Sequence, residues 1–277
     1  MKIFKLYILT SGLLIALNAN AQKSPESPNG GSQASKFSIY AGAGVAAYHG
    51  DLMQSDGNMF KQASYSFSAG AAYAFTKKIS ATFDIGIHKI QAADSKNSGA
   101  QYKARNLSFK SNLFDISIAA QYSILDLDHY KVTPYISAGV GVLFFNPYAN
   151  GASGNKQFLR ELGTEGQGLT GYPGMYKKTA VEFPMGLGVK YPINESISLQ
   201  LEFNYRITGT DYLDDVSTSG YPPKALLDAK NPVTAKFTWR GNEVGGEAYP
   251  KNLSLPRGNP KDKDGYITTQ LKVAYNF

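Results

Sequence analysis

Histidines, grouped carboxylates and glycine-dense turns are the residues here whose types and spacing could do chemistry. The three histidines are His49, His88 and His129, and the chain has no cysteine to join them. They fall in a long connection, a strand and a short turn, too scattered for one metal site. His88 follows Asp84 at a spacing that puts both on the same strand face, where they could pair, but the default expectation is a satisfied lumen histidine. His49 lies close to Asp51 in the first long connection. A lipid-modifying barrel enzyme needs a Ser/His pair or similar group at the membrane boundary, yet no histidine projects from an apolar strand face. No enzyme activity and no catalytic residue are therefore expected. Gly163-Thr164-Glu165-Gly166-Gln167-Gly168 has the glycine density of a phosphate loop, but it lacks the Lys-Ser/Thr and the strand-to-helix setting. Asp211, Asp214 and Asp215, with Asp262 and Asp264, offer oxygen ligands without the ~12-residue pattern of a calcium loop. They are expected to brace loops. No metal, cofactor or small-molecule substrate is expected.

The elements that must position these residues follow from alternation. Apolar residues recur at every second position in eight stretches, the mark of strands with one apolar face. These are Phe37–Tyr48, Tyr65–Phe75, Ile79–Ile87, Leu107–Ile124, Val132–Phe145, Val181–Tyr191, Ile197–Ile207 and Ile267–Phe277. Leu107 and Phe109 are out of phase with the rest of their stretch, which predicts a bulge or a register change near Ser111–Leu113. The charged Asp84, Asp115, Glu182, Lys190, Glu202, Arg206 and Lys272 all fall on the polar faces, and the apolar faces carry none. Aromatic residues such as Phe37, Tyr73, Phe75, Tyr122, Tyr275 and Phe277 sit near strand ends on the apolar face, as interfacial girdles do. Short connections (Thr76–Lys78, Leu125–Lys131, Pro192–Ser196) alternate with long ones (Ala46–Ser64, Gln91–Asn106, Asn146–Lys178, Gly209–Gly265).

The expected fold is all-β: an eight-stranded antiparallel transmembrane β-barrel with long extracellular loops, its outer face against outer-membrane lipid. A barrel of this strand number is filled by its own side chains. Asp84, His88, Asp115, Glu182, Glu202, Arg206 and Lys272 are expected to form a lumen network over a floor of glycine and serine, leaving no open channel.

Composition agrees with this reading. The chain has 277 residues, 43% hydrophobic and 18% charged, with 28 Gly, 19 Tyr and one Trp. The mean hydropathy of −0.27 averages an apolar outer face with a polar lumen and long hydrophilic loops. Absence of cysteine excludes a disulfide framework and thiolate chemistry. Residues 1–21 read as a signal peptide, with Lys2 and Lys5, an apolar Leu6–Leu17 and an Ala19-Asn20-Ala21 cleavage site. Its removal lowers the formal charge from +7 to +5. The remaining basic residues alternate with acidic ones, so no nucleic-acid partner is expected. Residues 22–36, rich in Ser, Pro and Gly, read as a flexible periplasmic tether, leaving 37–277 as the barrel. An even strand count would return Phe277 to the same periplasmic side. The last long loop, with Trp239, is too long for an idle connector; Trp239 is expected to anchor its fold or a partner contact.

Several stretches resemble a known family: NLSFKSNLFDISI (Asn106–Ile118), TPYISAGVGVLFFNPYA (Thr133–Ala149), ELGTEGQG (Glu161–Gly168), FPMGLGVKY (Phe183–Tyr191), TDYLDDVS (Thr210–Ser217) and RGNP (Arg257–Pro260). Together they resemble the PorG-like outer-membrane barrels of Bacteroidota, over about Phe37 to Phe277. The most specific motifs mark Gly163, Thr164, Glu165, Gly166, Gln167, Gly168, Asp211, Tyr212, Asp214, Asp215 and Arg257 as candidate interaction residues. The resemblance implies an eight-stranded barrel and, for PorG itself, an accessory role in type IX protein secretion with periplasmic secretion-ring proteins as partners. The alternative is a surface or envelope-stabilising barrel that binds an extracellular partner through its long loops.

Overall fold

A computed structural model describes residues 36–53, 59–126, 130–218 and 220–277. The predicted leader, nearly all of the tether, and His129 lie outside the described residues. Ten strands occur in chain order: β1 (Phe37–His49), β2 (Ser64–Ala74), β3 (Ile79–Ala93), β4 (Ser108–Ser123), β5 (Thr133–Phe144), β6 (Tyr148–Asn150), β7 (Lys156–Phe158), β8 (Thr179–Pro192), β9 (Ile197–Thr208) and β10 (Gly265–Asn276). Eight of them close into an antiparallel barrel. Each pairs with its neighbour, and β10 returns to β1 from Ser38↔Asn276 to His49↔Gly265. The small β6–β7 hairpin sits in the third long connection and hangs on β4 through Lys110↔Tyr148.

Alternation fixes the register, since a slip of one residue would exchange the two faces. The outer face exposes large apolar side chains on every barrel strand, among them Ile39, Phe67, Phe83, Ile118, Ile136, Met185, Leu201 and Leu271. A belt of this kind seeks lipid, because proteins surrounded by water rarely expose a continuous apolar surface. Aromatic clusters rim it: Phe37 packs on Phe277 at 5.7 Å and Tyr73 on Phe75 at 5.3 Å at the short-turn end. Phe114 packs on Phe144 at 5.9 Å toward the long-loop end.

Neither the bulge nor the register change predicted near Ser111–Leu113 is present in the β3–β4 pairing. β3 and β4 pair without interruption from Ile79↔Tyr122 to Ala93↔Ser108. The change of phase has a different cause. Phe109, Ser111 and Leu113 face inward with Asp115, but near the long-loop end the inner face meets a hydrophobic core rather than a polar lumen. That core gathers Tyr48, Leu52, Ile90, Leu107, Phe109, Leu113, Leu143, Leu159, Leu213 and Phe237. The long loops therefore fold down as a cap on the barrel mouth.

Candidate functional site: a lumen plug beneath a loop lock

The lumen residues predicted from the sequence meet in two linked clusters. Arg206 donates from Nη1 to Asp115 Oδ1 at 2.7 Å and to Glu182 Oε1 at 2.6 Å. Tyr266 donates to the other oxygen of Glu182 at 2.9 Å. Lys272 Nζ lies 2.8 Å from Glu202 Oε1 and 3.4 Å from Asp84 Oδ1. Tyr40 donates to Asp84 at 2.6 Å, and Tyr135 to Glu202 at 3.0 Å. His88 does not pair with Asp84. His88 Nε2 instead lies 2.7 Å from Asp115 Oδ2, and its Nδ1 lies 2.7 Å from Ser66 Oγ. Asp84 is taken by Lys272 and Tyr40, which reach it from the facing strands β10 and β1.

Three inward tyrosines, Tyr40, Tyr135 and Tyr266, escaped the sequence reading because their neighbours on the inner face are small or polar. The signal was in the glycines opposite them. A Cβ on Gly70 would lie 2.6 Å from the Tyr40 ring, and one on Gly188 would lie 2.5 Å from the Tyr135 ring. Those glycines are seats for aromatic rings. The space left among Tyr40, Asp84, Glu202 and Lys272 is a cavity of about 20 Å³, room for about one water.

Ser66, His88 and Asp115 line up in the order of a hydrolytic triad, with His88 within 2.7 Å of both partners, another arrangement that the sequence did not announce. Its polarity runs from Gln270, which donates to Ser66 Oγ at 2.8 Å. Ser66 Oγ shares a 2.7 Å hydrogen bond with His88 Nδ1, and the other ring nitrogen faces the Asp115 carboxylate. All three side chains are fully buried in the plug, out of reach of any substrate carbonyl. The chain acts as a brace.

Above the plug, the candidate motif residues converge from separate loops. Gly163, Gly166 and Gly168 adopt positive φ of 68°, 80° and 83°, which accounts for the glycine spacing of that motif. The turn they shape presents Thr164 and Glu165 to Arg257. Arg257 donates to Glu165 Oε1 at 2.6 Å, to Thr164 Oγ1 at 3.0 Å and to the carbonyl of Asp215 at 3.0 Å. Glu165 Oε1 also accepts the N–H groups of Ser217 and Thr218 at 2.8 and 2.9 Å. Asp215 accepts from Tyr176 at 2.7 Å and from the Thr164 hydroxyl. Gln167 Oε1 accepts the N–H of Glu165 at 2.9 Å.

The other loops join at the same point. Arg105 forks onto Asp94 with two bonds of 2.7 Å and also donates to the Arg257 carbonyl. Asp51 accepts the N–H of Asn259 at 2.9 Å. Two short helices of the last loop, Lys224–Lys230 and Thr234–Thr238, dock on the glycine turn. Lys230 donates to the Gln167 carbonyl at 2.5 Å, and Thr238 to that of Thr164 at 2.7 Å. This accounts for part of the length of that loop. Trp239 anchors the same region, donating to the Glu247 carbonyl at 2.9 Å and packing edge-on against Tyr221 at 5.6 Å.

The loop carboxylates behave as braces in different protonation states. Tyr48 Oη lies 2.6 Å from Asp214 Oδ2 and 2.7 Å from Asp264 Oδ1. One phenolic proton serves only one of them, so the other carboxyl must carry a proton of its own. Burial pushes both acids well above the ordinary carboxylate value, helped by the charge of Asp264 at Asp214 and by the charges of Asp211 and Asp51 at Asp264. Burial pushes Asp215 up to about 7 despite Arg257 beside it, and also pushes Asp211 up to about 7. Tyr212 stacks on Tyr176 at 4.3 Å. Among the described residues, no group of acids and histidines is arranged to hold a metal ion.

A closed barrel with an apolar belt, a plugged lumen and capped mouth is the architecture of an outer-membrane β-barrel. Residues 90–221 match the family profile of the outer membrane protein beta-barrel domain. No curated protein sequence matches the chain significantly. The chain is similar in structure to Neisserial surface protein A, at 14% identity over 88% of this chain and 98% of that one, with a TM-score of 0.44. The outer membrane protein OprG of Pseudomonas aeruginosa gives 10% identity over 88% and 97%, with a TM-score of 0.42. The outer membrane enzyme PagL gives 13% over 86% and 97%, with a TM-score of 0.29.

Proposed function

We propose that this protein is a non-enzymatic outer-membrane barrel that serves as a docking or accessory component of type IX protein secretion, with both termini on the periplasmic side. The observation that carries the reading is the convergence of LGTEGQG, TDYLDDVS and RGNP on Arg257. The motifs behind the PorG-like resemblance are the parts that hold the loop cap rigid. A plugged lumen leaves the loops, the outer wall and the short-turn end as working surfaces, which suits a docking role. Its partners on this reading are the periplasmic secretion-ring proteins.

Deleting the gene and following secreted cargo, with affinity capture on the tagged barrel, tests the proposal. Loss of cargo export and recovery of ring subunits are expected. Intact secretion together with no ring subunit captured would overturn it. Altered lipid A on expression, abolished by substituting His49, would overturn the non-enzymatic part. The second reading, a surface barrel that binds an extracellular partner, is favoured by a cavity of about 550 Å³ among the long loops. Loop truncation that abolishes binding and leaves secretion unchanged would select it.

A further inference from the structure

On β3 and β4 the apolar belt gives way to cations toward the long-loop end. The outward residues of β3 run Phe83, Ile85 and Ile87, and the next is Lys89. Those of β4 run Ile118, Ile116 and Phe114, followed by Asn112 and Lys110. The register sets Lys89 opposite Asn112 and Lys110 opposite Gln91. The two lysines are therefore diagonal neighbours on one face, ~7–8 Å apart at the backbone, close enough for both ammonium groups to reach one phosphate. A third cation extends the patch. Tyr148 of β6 pairs with Lys110, and Phe158 of β7 pairs with Tyr148. Lys156 Nζ lies over both rings, 3.8 Å from the centre of Tyr148 and 4.5 Å from that of Phe158.

The charge of this patch is not matched from within the chain. Carboxylates among the described residues pair with Lys178, Lys224, Lys251 and Lys272, and with none of Lys89, Lys110 and Lys156. Next along β4, Arg240 donates to Ser108, but its own charge is met by Glu243 through bonds of 3.0 and 2.9 Å. Lys156 is exposed, and Lys89 and Lys110 are half-buried, so all three can meet a partner from outside. Position says which partner. Lys89 lies one outward step beyond Ile87, ~7 Å along the strand, so its stem can rest on the belt with its ammonium at headgroup level. Charge says which headgroup. A phosphate monoester carries about −1.5 to −2, so two of them match three lysines, whereas a single phosphodiester leaves most of the patch unmatched.

We propose that the outward patch of Lys89, Lys110 and Lys156 holds the headgroup of a membrane lipid bearing two phosphates, with its acyl chains along Ile87 and Phe114. The assignment goes beyond the secretion reading and holds with or without it. The full chain in zwitterionic detergent micelles is titrated with diphosphoryl lipid A, and retained lipid is counted by native mass spectrometry. Saturable retention is expected, weakened about 100-fold when all three lysines are replaced by glutamine and kept when they are replaced by arginine. Lys77→Gln with Lys78→Gln, at the short-turn end, should leave it unchanged. The mobility shift of the unboiled barrel shows whether each variant is folded. Lys89→Gln alone, expected to weaken retention about fivefold, serves if the triple variant is not. The proposal is overturned if diphosphoryl lipid A is not retained, or if retention survives the glutamine substitutions. Equal retention of the dephosphorylated lipid or of phosphatidylglycerol would also overturn it. Binding of inositol hexakisphosphate without binding of the lipid would do the same, by marking a soluble polyphosphate as the occupant.

Discussion

Replacing Arg257 with methionine removes the point at which the long loops are joined. The guanidinium is 2% exposed and its partner Glu165 is 0% exposed, so the substitution strands a buried carboxylate. Glu165 keeps only the Ser217 and Thr218 N–H groups, while Asp215 and Thr164 lose their contacts with the guanidinium. Breaking a buried ion pair from one side costs about 3–5 kcal/mol. That raises the local opening constant of the loop cap by more than about 100-fold. Removing both charges, as Arg257→Met with Glu165→Gln, leaves no stranded ion and should recover much of the loss. Coupling between the two changes is expected at up to about 3 kcal/mol. Amide hydrogen exchange read by mass spectrometry in lipid nanodiscs separates the cap from the barrel. Segments 163–168 and 210–218 should lose protection in the single variant, while β3 and β4 keep theirs. Unchanged exchange in those segments, or single-variant effects that simply add in the double variant, would refute the role given to Arg257.

Three further outcomes follow from the same geometry. Ile118 is 60% exposed on the outer belt, so Ile118→Arg should be near neutral in water but cost about 2–4 kcal/mol against lipid, as urea titration of the barrel in vesicles will show. Gly188→Ala places a Cβ 2.5 Å from the Tyr135 ring and 2.7 Å from the Leu201 carbonyl, and this overpacking should cost about 1–3 kcal/mol in the same assay. The cap should loosen with rising pH. Folding raises Asp215 and Asp211 from 3.8 to about 7, so their contribution is fully present below 3.8 and is lost as pH rises through about 7. Loop amide protection, corrected for intrinsic exchange, should fall across that window in the native chain and less so in Asp215→Asn.

The barrel was legible in the sequence because a single physical rule, alternation against lipid, governs every strand. Paired strand boundaries and the charge-free outer face follow from that rule. It misled at Phe109 and Leu113, where inward residues are apolar because they meet folded loops, and alternation carries no information about what lies inside. The lumen was legible as a set of charges but not as pairs. His88 and Asp84 are neighbours along β3, whereas the contacts that form run to Asp115 on the adjacent strand β4 and to Lys272 on β10, and depend on register between strands. The candidate residues of the loops were marked by resemblance alone. Their convergence is set by contacts between residues far apart in the chain, such as Glu165 with Arg257, for which local sequence gives no signal.

The two polar networks are stacked, and this limits what the protein can do. The plug of Arg206, Asp115, Glu182 and Tyr266 adjoins the apolar layer of Tyr48, Phe109, Leu113 and Leu143, with the Arg257 lock on the loop side. Asp115 and Leu143 are paired residues of β4 and β5, and Tyr266 and Tyr48 are paired residues of β10 and β1, so the two layers meet side by side. Opening the lumen would require separating Arg206 from both carboxylates and Lys272 from Glu202 together, each a buried pair whose rupture costs several kcal/mol. Opening the cap breaks none of those bonds. The cheap motion is therefore in the loops, where Asp211 and Asp215 titrate, while the barrel beneath stays shut.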